Sequence, residues 1–351
     1  MRLGAVVKQK MVMGLPLTAI MAVMLCVRVM AMEPGGGMNI PLIDVNTMTQ
    51  QMVTVPVTDT IPPVIRTAEL PKVNTTPMVP QVPVSVSGIE SIQTGQQAAD
   101  TAPVTVDIII FAGQSNMSGN GGNAMQASVV PAGHGYEYRP TSAPGALYPI
   151  AEPFGRYEGG YVSDSPSYQN GTMVSSFVNT YYSKTGIPVV GVCATHGGSD
   201  SAYWASSATK ADMVSRFVKT RSYLESNNFK VRRKLLVFMQ GESDSVKGVS
   251  KTEYKNNLIA AFQPLFANGL EQVFIITPGY AKNGVYSYDD IVSAQVDLCN
   301  SNNLFTLGSQ MLHSVSMNAY LSDAVHYNQQ ALNMVGADAA ARAAAYANGG
   351  M

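Results

Sequence analysis

The sequence predicts an α/β fold: a mainly parallel, five-stranded sheet with helices on both faces, a three-layer sandwich. Three observations carry this. Five apolar runs of strand length recur after residue 103. Helical patterns separate them. The runs are continuous and do not alternate with polar residues, as expected of strands buried on both faces.

The elements follow in chain order. Thr105 to Phe111 is a β-branched run with Val106, Ile108, Ile109 and Ile110. Gly171 to Lys184 carries Met173, Val174, Phe177, Val178 and Tyr181 at helical spacing, and Gly186 followed by Pro188 stops it. Ile187 to Ala194 and Leu235 to Met239 are the next strands. Ser250 with Glu253 three residues later is a capping-box signature ahead of Leu258, Ile259 and Phe262. Gln272 to Thr277 is a strand, Asp289 to Asn300 a helix and Leu304 to Leu307 a short strand. Asn328 is placed to cap a last helix running through Leu332, Val335 and Ala339 to about Tyr346. The stretch from Asn120 to Asn170, rich in Gly, Pro, Tyr and Ser, reads as a long loop able to line a cleft.

The N-terminal third differs in character. Arg2, Lys8 and Lys10 precede an apolar stretch from Met11 to Val27, with small residues around Ala31. Residues 1–32 therefore read as a secretory signal peptide or, uncleaved, an N-terminal anchor. From 33 to 103, Pro, Thr, Val, Met and Gln dominate. Recurrent prolines oppose both helix and internal sheet pairing, so this segment reads as an extended, disordered linker, with a small all-β module as the other reading. The globular domain is expected over 104–351. The expected location is secreted or cell-surface, with membrane contact only if the first segment is retained.

A net charge of -1 with 13% charged residues excludes a basic nucleic-acid-binding face. The chain has three cysteines. Cys193 and Cys299 read as core residues and do not make a disulfide framework. No His-Glu-x-x-His or other metal-ligand spacing occurs, and Gly119-Asn120-Gly121-Gly122 does not fit a phosphate or dinucleotide loop. No cofactor is expected.

Ligands of parallel sheets bind at the carboxyl ends of the strands, and four motifs fall there. The first strand runs into Gly113-Gln114-Ser115-Asn116-Met117, which sets the Ser115 hydroxyl at the sheet edge. The second ends in His196-Gly197-Gly198-Ser199, where paired glycines let backbone N–H groups approach a ligand. The third ends in Gln240-Gly241-Glu242-Ser243-Asp244, so that Gln240 presents a side-chain donor at the same edge. Asp323 and His326, three apart before a helix, can share one face, the carboxylate fixing the imidazole tautomer. His196, beside the glycine pair, is the rival base; His134 and His313 lack such an arrangement.

These four blocks, in this order from Val104 to Tyr346, resemble the SGNH hydrolases, and most closely the branch of sialate O-acetylesterases and acetylxylan esterases. The resemblance implies a flavodoxin-like sheet and a serine esterase that removes acetyl groups from sugars. It implies Ser115 as nucleophile with His326 and Asp323 completing a triad, and an oxyanion hole from the Ser115 and Gly198 N–H groups and the Gln240 amide. Glu242 matches a carboxylate that supports the site, and Gln114, Asn116, Gly197 and Trp204 take supporting or substrate-binding positions near the cleft. Phe238-Met239 stands where the branch often has Trp, which leaves the sugar open. The partner expected is an acetylated glycan or oligosaccharide. Two alternatives stay open: a secreted glycan-binding or surface protein without catalysis, suggested by the Pro/Thr-rich linker, and a lipid or thioester esterase.

Overall fold

The structure is a computed structural model and describes residues 102–164 and 170–350. The expectations for residues 1–32 and, save for 102 and 103, for 33–103 lie outside the described residues.

β1 (Val104–Gly113) is the centre of the sheet because it has the longest β-branched run. It pairs in parallel with β4 (Val189–Thr195) on one side and β5 (Phe229–Met239) on the other. Beyond β5 lie β6 (Gln272–Ile276) and β7 (Phe305–Ser309), both parallel. Beyond β4 lies a hairpin of β2 (Gly135–Arg139) and β3 (Ala143–Pro149). β2 runs parallel to β4 and antiparallel to β3. The order is β3-β2-β4-β1-β5-β6-β7, seven strands among the described residues.

The α/β class with a mainly parallel sheet is therefore as the sequence predicts, but the strand count is corrected from five to seven. Both added strands come from the stretch expected to be loop. Pro144 and Pro149 within β3 argue against an internal strand, and β3 is an edge strand, where a missing N–H is tolerated.

The strands alternate their side chains between two cores. Ile109, Phe111, Leu235, Val237 and Phe274 face α1 (Val174–Thr185) and α7 (Gln329–Ala347). Ile108, Ile110, Leu236, Phe238 and Ile275 face α3 (Ser207–Ser226), α5 (Lys251–Ala267) and α6 (Asp289–Ser301). Phe111 meets Phe154 and Phe177 edge-on at 5.5 and 5.2 Å. Each such pair contributes about 0.5–1.5 kcal/mol beyond area burial. Two short helices, α2 (Ser201–Ala205) and α4 (Glu242–Lys247), follow the carboxyl ends of β4 and β5.

The helix boundaries follow local chemistry. Gly186 ends α1 at φ 66° with its N–H on the Tyr182 carbonyl. The Ser250 hydroxyl accepts from Glu253 N at 3.2 Å to start α5. Asn328 Oδ1 accepts from Ala331 N at 3.1 Å to start α7. α3 has no counterpart among the expected elements. Its buried face mixes Met213, Phe217 and Leu224 with Thr209, Arg216 and Thr220, which blurs the apolar period. Cys193 and Cys299 are free, and burial pushes each thiol up to about 12.

Candidate active site

β1 delivers Ser115 by an abrupt turn. Gly113 sits at φ 149°, and a Cβ there would stand 2.1 Å from the Met239 carbonyl oxygen on β5. Only glycine lets the chain turn that close to its neighbour. Gln114 N then donates to Met239 O at 3.1 Å, and Asn120 N donates to Ser115 O at 2.9 Å. The turn is tied at both ends, and Ser115 is 8% exposed at the sheet edge.

The segment before α7 brings His326 to Ser115. Asp323 Oδ1 accepts from Val325 N and His326 N, both at 2.8 Å, which closes a tight turn. Its Oδ2 lies 2.7 Å from His326 Nδ1, and His326 Nε2 lies 2.8 Å from Ser115 Oγ. An ionised carboxylate only accepts, so Nδ1 carries the proton and Nε2 is free to accept from the serine hydroxyl. Partial burial alone would raise the Asp323 carboxyl. The Val325 N–H, the His326 ring and the His326 N–H outweigh it and hold the group below its ordinary range.

Asn116 locks the two segments together. Its Nδ2 donates to Glu242 Oε1 at 2.8 Å and to Val325 O at 3.2 Å, and its Oδ1 accepts from Tyr327 N at 3.1 Å. Gly121, at φ 85°, lets the segments close. A Cβ there would be 2.4 Å from Ser322 Oγ and 2.8 Å from His326 Cβ.

These groups open on a cavity of about 480 Å³, whose lining includes Gln114, Ser115, Gly197, Gly198, Glu242 and His326. Gly198 has φ 68°, and among the described residues its N–H and that of Ser115 make no hydrogen bond. Both are available to a ligand. Glu242 is 6% exposed. Burial pushes its carboxyl up, against its own backbone N–H and the Asn116 amide, which pull it down.

One expected placement is corrected. Gln240 does not face the cavity. It is fully buried, its Nε2 donates to Ser199 O at 3.0 Å and Asp244 Oδ2 at 2.5 Å, and its Oε1 accepts from Tyr254 Oη at 3.1 Å. It follows Phe238 by two residues, so strand alternation carries it to the α5 side. Trp204 takes a supporting position and not a lining one, at 1% exposure. It stands edge-on to Phe238, and its Nε1 donates to Ser199 Oγ at 3.0 Å, which supports the turn after the glycine pair.

His196 is brought near the glycine pair but not to Ser115. Its ring stacks on Tyr203 at 4.5 Å, with Nδ1 3.7 Å from Asp164 Oδ1. His134 stacks on Tyr182 and His313 on Tyr280. Among the described residues no group of three His, Cys, Asp or Glu is arranged to hold a metal ion.

The cavity also includes Asn120, Val246, Lys247, Tyr286, Tyr288 and Val325. Asn120 opens the stretch that the sequence expected to line a cleft; sequence reasoning missed the other five, and Tyr286 and Tyr288 belong to no motif.

Residues 105–345 match the model of a family described as carbohydrate esterase, sialic acid-specific acetylesterase. No curated protein sequence matches the chain. Among solved structures, a protein from Arabidopsis thaliana is similar at 18% identity and TM-score 0.49, covering 70% of this chain and 98% of that one. NanS is similar at 14% identity and TM-score 0.48, again over 70% and 98%. A carbohydrate acetylesterase from Xanthomonas citri is similar at 15% identity and TM-score 0.41, over 68% and 57%.

Proposed function

The chain belongs to the carbohydrate esterase family of sialic acid-specific acetylesterases, and from that premise we propose that it hydrolyses acetyl esters on sugars through a Ser115–His326–Asp323 acyl-enzyme mechanism. The observation that carries the mechanism is the continuous relay from Asp323 Oδ2 through the imidazole to Ser115 Oγ, at 2.7 and 2.8 Å.

In this reading His326 accepts the Ser115 proton as Oγ attacks the acetyl carbonyl. The Ser115 and Gly198 N–H groups receive the oxyanion. Removing one such donor typically costs about 10²–10³-fold in rate. His326 then protonates the sugar oxygen, which leaves as the alcohol. Water, deprotonated by the same imidazole, attacks the acetyl-serine and releases acetate with the Ser115 proton restored. Glu242 holds Asn116, and through it the spacing of the two catalytic segments. Residues 1–32 export or anchor the chain, and 33–103 space the esterase domain from that anchor or terminus.

The test is acetate release by the full chain from acetylated monosaccharides and xylo-oligosaccharides, set beside medium-chain p-nitrophenyl esters and repeated with Ser115→Ala. Acetate release that the variant loses by at least about 10⁴-fold supports the reading. Preference for the medium-chain esters would favour a lipid or thioester substrate. Equal rates in variant and wild type would remove Ser115 from the reaction.

A further inference from the structure

The cavity beside Ser115 carries apolar side chains that no step of the reaction uses. Tyr286 and Val246 line it together with Ser115 and His326, and they stay 45% and 52% exposed. Large apolar side chains scattered singly over a surface need no explanation, but on the wall of a cavity that holds a nucleophile they mark a surface for ligand.

Tyr286 belongs to the segment between β6 and α6. Tyr280 N donates to Tyr327 Oη at 2.8 Å, and Lys282 N donates to Ala324 O at 2.8 Å. The segment is thereby tied to the chain on both sides of His326. Val325 packs against Ala281, Tyr288 and Val292 from the same stretch and the start of α6. Asn283 and Gly284, at φ 58° and 65°, turn the chain just before Tyr286. Both residue types accept that left-handed conformation. The wall that carries Tyr286 is therefore continuous with the His326 turn.

That position decides which part of the substrate meets the phenol ring. The carbonyl oxygen of the ester goes to the Ser115 and Gly198 N–H groups. The alcohol oxygen takes its proton from His326 Nε2, so the leaving group lies along the His326 wall. There Tyr286 offers a flat apolar ring, open to solvent at its edge. A pyranose has one face of C–H groups that can cover such a ring while its hydroxyls stay in water. A short linear alcohol has no comparable face.

We propose that Tyr286 is a specificity-determining platform for the leaving group, on which the ring of the departing sugar packs by its C–H face. The proposal rests on the esterase reading of Ser115 and adds to it the residue that favours a ring-bearing alcohol. Aromatic side chains bring a large contact area in a fixed orientation, so their loss is read as a loss of preference.

The experiment measures kcat/KM of the full chain on the three mono-acetates of methyl β-xylopyranoside, which between them place the ester at every free position of the ring. Ethyl acetate, whose leaving group has no ring, is the reference. Each value is divided by that ester's rate with hydroxide, which removes the difference in intrinsic reactivity. Wild type is expected to favour the best of the three sugar esters over ethyl acetate by about tenfold or more. Tyr286→Ala is expected to lower that ratio by about tenfold, and Tyr286→Phe, which keeps the ring, to retain it. The ratio is read within each protein, so a partly unfolded variant does not mimic the effect. A wild-type ratio near one, or a Tyr286→Ala ratio equal to wild type, overturns the platform and leaves the esterase reading intact. A Tyr286→Phe ratio as low as that of Tyr286→Ala also overturns it, because the hydroxyl and not the ring face would then carry the preference. No hydrolysis of any of the esters by wild type, or equal hydrolysis by Ser115→Ala, overturns both.

Discussion

Asp323 is the residue on which the geometry of the relay depends, because it fixes both the turn and the imidazole. Replacing it with Asn keeps an acceptor for the Val325 and His326 N–H groups but can present a donor to Nδ1, which favours the wrong tautomer. kcat for a small acetyl ester is expected to fall by about 10²–10⁴-fold, with the fold retained by circular dichroism. Since hydrogen bonds hold the Asp323 carboxyl below its ordinary range, it stays ionised above about pH 4. An acid limb in the rate profile above about pH 5 therefore belongs to another group. Glu242 behaves in the opposite sense. Burial raises its carboxyl, so the stability it contributes is full below the unfolded value of about 4.3 and is lost as pH rises through the folded value. Glu242→Gln has no such titration. Its Tm relative to wild type is expected to rise between about pH 4.5 and pH 7, and thermal melts giving a constant offset would contradict this.

At the scale of elements, α7 carries the site from behind. Asn328 caps it two residues after His326, so the cap also fixes where the His326 turn ends. Asn328→Ala is expected to cost about 1 kcal/mol in urea denaturation, together with a measurable fall in kcat as the turn loosens. A change in stability alone would show that the turn is held without the cap. Elements with strong local signals were legible in the sequence: the Gly186 stop, the Ser250 and Asn328 caps, and the β-branched run of β1. Elements held from a distance were not. Arg216 makes a buried position on α3 polar, and its partners are Asp212 Oδ2 at 2.9 Å, Cys193 O at 3.1 Å and Gly159 O at 2.6 Å. Two of those three lie far away in sequence, so no local pattern announces the helix. The β2–β3 hairpin was hidden in the same way, by prolines that only an edge position tolerates.

Across the whole molecule, the site forms where parallel strands end, and this explains which parts of it the sequence could reveal. Ser115 and the glycine pair are placed by the strands that precede them, and Asp323 and His326 by their own three-residue spacing. Gln240 was misplaced because its strand position fixes its backbone at the edge while alternation turns its side chain into the α5 layer. Tyr288 and Glu242 line one cavity from segments 46 residues apart in the sequence, and only the assembled cavity shows them together. The measurement that tests the central claim most directly is labelling of the full chain with a fluorophosphonate, which reacts with an activated serine hydroxyl and requires no knowledge of the sugar. Mass spectrometry is expected to show one adduct, on the peptide that contains Ser115, absent from Ser115→Ala and strongly slowed in a His326→Ala variant. No adduct on the wild type, or one that persists in Ser115→Ala, would contradict the assignment of Ser115 as the nucleophile.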